Sequence, residues 1–140
     1  MPTDKFLLFF RFNNASLMLA DMSRKELWTE NIEFYKELIT KYHFKQEPMI
    51  ALFPKLEQAG FFEKYYPSNS HESLGLSIER KYDLRCAKPM VYFTYVVREH
   101  SFIVTYQQGQ GNTIIEENVG LTISPEILAK IDTWLSADKV

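Results

Sequence analysis

An α+β domain is the fold class this sequence predicts: an antiparallel sheet of about five strands, with a long helix in the N-terminal half, short helices, and a C-terminal helix packed against it. Three observations carry this. Met90 to Gln108 alternates apolar and polar residues through two runs rich in β-branched and aromatic side chains, separated by Arg98, Glu99 and His100. That is the pattern of two antiparallel strands joined by a short connection. Ser23 and Ser124 stand where helix caps belong, each ahead of an apolar stripe at helical spacing. The aromatic share is 15%, with eleven Phe and eight Tyr, which favours a sheet-containing core over a helical bundle. A chain of 140 residues reads as one domain, 1–140, long enough to bury a core without a disulfide or a metal.

Taken in order, Phe6 to Phe12 is a strand candidate, Asn13 and Asn14 suit a tight turn, and Ser16 to Ala20 returns as a possible second strand. Ser23 with Glu26 forms a capping box, and Met22 with Leu27 a hydrophobic staple. The helix should run from Arg24 to about Tyr42, with Trp28, Ile32, Tyr35, Ile39 and Tyr42 as its buried stripe. Pro48, at the first helical position, opens a short helix through Leu52; Pro54 bends or restarts it, and Gly60 stops it. Phe61, Phe62, Tyr65 and Tyr66 make an aromatic knot, and Pro67 to Ser73 reads as a polar loop. Leu74 to Tyr82 alternates as a strand, with Leu74, Leu76 and Ile78 on one face. Asp83 to Pro89 leads into the central hairpin, which places Val91, Phe93, Tyr95 and Val97 on one face of its first strand and alternates Phe102, Val104 and Tyr106 in its second. Gly109 to Asn112 turns the chain, and Thr113 to Val119 is a further strand. Ser124, Pro125 and Glu126 start the last helix, which presents Ile127, Ile131, Trp134 and Leu135 to the core.

The totals weaken several function classes. Net charge is −2, and neither half of the chain is a basic arm, so no field gathers nucleic acid. Arg80, Lys81, Arg85 and Lys88 are the one basic cluster, but Glu79 and Asp83 lie within it. No apolar run approaches the ~20 residues that cross a bilayer. The run between Lys5 and Arg11 is too short for a secretory signal and has no evident cleavage site. The single Cys86 rules out an internal disulfide and suits a reducing, cytoplasmic compartment.

Catalytic patterns are missing. His43, His71 and His100 lie at a helix end, in a loop and at a hairpin tip, without the close helical spacing that presents two imidazoles to a metal. His100 beside Glu99 reads as an exposed turn pair, and Cys86 as a structural cysteine and not a nucleophile, despite Arg85 and Lys88 nearby. Gly109 and Gly111 lack the third glycine, the Lys-Ser/Thr pair and the strand-to-helix context of a phosphate loop. No enzyme activity, cofactor or metal is therefore expected.

The most informative pattern is acidic. Glu26, Glu30, Glu33 and Glu37 are spaced four, three and four, which puts them on one stripe of the long helix, opposite its apolar face. Glutamates with good helix propensity on a solvated face would give the same spacing, as would a docking surface for a basic partner. In size, slight acidity, element order and lack of catalytic motifs, the chain resembles the small immunity proteins that bacteria make against polymorphic or contact-dependent toxins. That resemblance implies a cytoplasmic inhibitor that binds a cognate toxin domain, often a basic nuclease, and occludes its active site. The runner-up is a small-ligand binder or enzyme with an aromatic pocket between sheet and helices; a third is an adaptor subunit of another complex.

Overall fold

The computed structural model describes residues 22–109 and 111–137. The two strands expected at Phe6–Phe12 and Ser16–Ala20 lie outside them. The elements are α1 (Arg24–Thr40), α2 (Glu47–Gln58), α3 (Phe61–Lys64), β1 (Tyr66–Ser70), β2 (Ser73–Ser77), α4 (Tyr82–Arg85), β3 (Pro89–Val96), a 3₁₀ turn (Val97–Glu99), β4 (Ser101–Gln108), β5 (Thr113–Gly120) and α5 (Pro125–Leu135). This is the α+β fold that the sequence predicts. The five strands form one antiparallel sheet in the order β1-β2-β3-β4-β5, so each pairs with its neighbour in sequence.

Alternation decides which side of the sheet meets the helices. Leu74 pairs with Phe93 and Leu76 with Val91; Val91 pairs with Tyr106, Phe93 with Val104 and Tyr95 with Phe102. These eight side chains lie in one core cluster with Trp28, Tyr35 and Leu38 of α1, Leu52, Phe53 and Leu56 of α2, and Ile131 and Leu135 of α5. The central hairpin therefore sits as expected, except that Val97 belongs to the 3₁₀ turn and is half-buried.

Both serine caps are present. The Ser23 hydroxyl accepts the Glu26 N–H at 3.2 Å, and the Glu26 carboxylate accepts the Ser23 N–H at 3.2 Å. Ser124 accepts the Ile127 N–H, also at 3.2 Å. Each bond satisfies a first-turn donor that has no partner inside the helix. Ser23→Ala and Ser124→Ala are each expected to cost about 1 kcal/mol, read as a lower denaturation midpoint at constant slope. Unchanged midpoints in both variants would remove the caps from the account of stability.

The structure corrects the sequence reading at four places. α1 ends at Thr40, two residues short of Tyr42, and its buried face is Leu27, Trp28, Asn31, Tyr35 and Leu38. Ile32, Ile39 and Tyr42 are only half-buried. A polar residue joins the buried side: the Asn31 amide N–H donates to the Leu27 carbonyl at 2.8 Å, while its Oδ1 has no hydrogen-bond partner among the described residues. α2 begins at Glu47, which makes Pro48 the second helical residue, and it passes unbroken through Pro54. A proline inside a helix costs ~3 kcal/mol; burial of Met49, Leu52, Phe53 and Leu56 on the opposite side outweighs that.

The stretch 67–73, read as a polar loop, is a hairpin. Tyr66 pairs with Ser77 and Ser70 with Ser73, leaving His71 and Glu72 as a two-residue turn. Among the described residues β1 is an edge strand, where the missing N–H of Pro67 is tolerated. The following strand ends at Ser77, short of Tyr82, because the chain bends there and forms α4. There the Ser77 hydroxyl accepts the Glu79 N–H at 3.0 Å, a local bond that competes with continuing the ladder.

Candidate functional site

The acidic stripe lies on the outer side of α1. Trp28, Tyr35 and Leu38 anchor the helix from within. The Trp28 indole N–H donates to the Tyr65 carbonyl at 3.0 Å, and the Tyr35 hydroxyl to the Glu72 carbonyl at 2.9 Å. The face opposite is thereby fixed in orientation. Glu26, Glu30 and Glu33 are exposed and Glu37 is half-buried.

Their roles differ. Glu26 is committed to the capping box, and the hydrogen bonds from Ser23 hold its carboxyl below the usual range. Glu33 pairs with Lys36 at 3.3 Å and Glu37 with Lys41 at 3.5 Å. Exposed pairs one helical turn apart are worth ~0.2–0.5 kcal/mol, so they orient the carboxylates more than they stabilise the fold. Glu30 has no ion-pair partner among the described residues.

The other candidates serve the turns. His43, His71 and His100 all take a left-handed backbone, with φ of 59°, 58° and 50°. Histidine enters this region more readily than most residues. Each histidine reverses the chain: His43 after α1, His71 in the β1–β2 turn, His100 between the 3₁₀ turn and β4. The His100 ring lies 3.4 Å from the Tyr95 hydroxyl, while the Glu99 carboxylate receives the Asn118 amide at 3.5 Å. Among the described residues, no group of three His, Cys, Asp or Glu could hold a metal ion. No described helix is long and apolar enough to cross a membrane.

Cys86 is exposed and caps α4. At the turn around Gly109 and Gly111, the Gly111 N–H donates to the Gln107 side chain at 2.8 Å and the Asn112 N–H to the Gly109 carbonyl at 3.1 Å. Those amides hold the hairpin and are not gathered toward an anion. In the basic cluster, the Glu79 carboxylate accepts the Arg80 and Lys81 N–H groups at 3.1 and 3.4 Å.

Between sheet and helices, aromatic rings pack on one another. Trp28 stacks on Phe62 at 4.1 Å and meets Phe53 edge-on at 6.2 Å, and Phe61 meets Tyr65 edge-on at 5.2 Å. Two networks with no advance signal in the sequence tie α5 down. The Tyr65 hydroxyl donates to Asp132, which also binds Lys64 at 3.2 Å. Trp134 donates to the Gln107 carbonyl at 3.1 Å, and Lys130, paired with Glu117, lies 5.0 Å over the Tyr106 ring. Burial, with the Glu117 charge behind it, pushes the Tyr106 phenol up to about 12.

Two cavities lie elsewhere. One, of about 310 Å³, lies on the far side of the sheet and is lined by Ser73, Thr94, Thr105, Gln107, Thr113 and Glu116 among others. In it the Ser73 and Thr94 hydroxyls lie 2.6 Å apart, and the Gln107 amide donates to the Thr113 hydroxyl at 3.2 Å. The other, of about 270 Å³, is mainly apolar and lies among Pro48, Leu52, Lys55, Phe102, Leu121 and Ile123. No family model, curated protein or solved structure matches the chain.

Proposed function

We propose that the protein is a non-catalytic inhibitor of the immunity type, acting in the cytoplasm by docking a basic toxin domain and occluding its active site. The observation that carries this reading is the outer side of α1. A capped helix, pinned through Trp28 and Tyr35, holds Glu30 and Glu33 in solvent beside Glu26 and Glu37. Matched potentials speed encounter and orient the partners before contact.

The test is the double variant Glu30→Lys/Glu33→Lys, measured against the candidate toxin domain at low and high salt. Association is expected to slow about tenfold at low salt, with the difference shrinking at high salt as the charges are screened. Fold stability should hold or rise slightly, since Glu–Glu repulsion along the helix is relieved. Wild-type association rates at both salts would leave the acidic spacing as helix composition alone.

A further inference from the structure

We propose that β5 is a docking edge for an extended segment of another protein, one that alternates apolar residues with lysine or arginine. Among the described residues β5 ends the sheet, and its one paired neighbour is β4. A strand so placed presents a row of backbone donors and acceptors to any segment that can lie alongside. Its side chains are unusually open: Thr113 to Glu116 are all exposed.

Apolar exposure concentrates here. Among the described residues the large exposed hydrophobics are Leu84, Ile114, Ile115 and Leu121, and the last three lie on β5 or just after it, at 54%, 36% and 55%. Single exposed apolar side chains need no explanation, whereas a group along one edge marks a contact surface. Leu121 also borders the 270 Å³ apolar cavity, together with Ile123 and Phe102. That recess, beside the C-terminal end of β5, has the form that receives one anchoring side chain.

The strand's own irregularities and charges select the occupant. The register slips near both ends: Tyr106 faces Ile115 while Gln107 faces Thr113, and Phe102 faces Gly120 while Ile103 faces Asn118. Ile114 and Val119 are therefore bulged, and Ile115 to Asn118 is the regular ladder between them. Antiparallel pairing with a second copy about the middle of that ladder would set Glu116 against Glu117 of the other molecule, a like-charge pair that destabilises. Glu117 is held by Lys130 on the helix side. Glu116, which pairs with Thr105, faces the other way and has no ion-pair partner among the described residues. A cation on the incoming strand, on the Glu116 side, completes the arrangement. The inference stands apart from the acidic-helix reading, because α1 packs on β1 at the opposite margin of the sheet.

The experiment titrates a blocked eight-residue peptide of alternating valine and lysine into the ¹⁵N-labelled full chain. Expected are shift changes and slowed amide exchange centred on Ile115 to Asn118. Affinity should fall about tenfold in Glu116→Lys and be unchanged in Glu72→Lys, which makes the same charge change on the β1–β2 turn. The valine–glutamate peptide should not bind. Equal binding of both peptides, or shifts centred away from β5, would overturn the proposal. So would slow exchange along the outer row of β5 in the free monomer, since the edge would then be taken, or a dimer whose slowed amides lie along β5.

Discussion

Trp28→Ala is expected to lower stability by about 3–5 kcal/mol, a large part of the roughly 5–15 kcal/mol that a folded domain commonly has. The side chain is 1% exposed. Its removal takes away a stacked partner of Phe62 and an edge-on partner of Phe53, and opens a hole in the core. It also deletes the donor that satisfies the buried Tyr65 carbonyl, 37 residues away in sequence. Trp28→Phe separates the two losses. The ring largely survives, so the remaining cost is the unpaired carbonyl, roughly 1–3 kcal/mol. Urea denaturation of the three proteins reads both terms; a Trp28→Ala midpoint close to wild type would mean that α1 is not anchored as described.

The second large effect is at the β4–β5 turn. Gly109→Ala is expected to cost about 3 kcal/mol, from a left-handed backbone at ~1–2 kcal/mol and a steric collision of similar size. φ at Gly109 is 94°, and a Cβ there would stand 2.5 Å from the Cys86 carbonyl oxygen. That oxygen is backbone and cannot rotate aside. Gly111 is the internal control, with a φ of 87° and nothing within 4 Å of the added carbon. Gly111→Ala should therefore show only the conformational cost. Thermal unfolding of both variants checks the difference, and equal losses would contradict the close approach of Cys86 to the turn.

What could be read in the sequence was what local patterning controls. Alternation from Met90 to Gln108 gave the central hairpin and its core face, and Ser23, Glu26 and Ser124 gave two helix starts to the residue. The acidic stripe followed from helical arithmetic, and Glu26, Glu30 and Glu33 do reach solvent. β1 could not be read, because Tyr66 to Ser70 has a turn's composition; pairing with β2 and packing under α1 make it a strand. The rotation of the α1 interior toward Asn31 was equally hidden, since a buried asparagine is tolerated only where a carbonyl such as that of Leu27 is in reach. Pro54 misled for the same reason: a local penalty was outweighed by burial that depends on the whole fold. The position of β5 at the margin is a property of strand order, which alternation does not encode.

That order also bears on how the chain is made. Among the described residues each strand after β1 pairs with the one synthesised just before it, so the sheet can grow hairpin by hairpin with short loops to close. α1 is in the opposite position. Its apolar side is synthesised before the strands of this sheet, and the central strands that complete its cover come later. At roughly 5–20 residues per second, several seconds separate the appearance of Leu38 from that of Tyr106. Until then Trp28, Tyr35 and Leu38 lack the central strands of their cluster, while the exposed carboxylates of Glu30 and Glu33 keep the outer side of the helix hydrated.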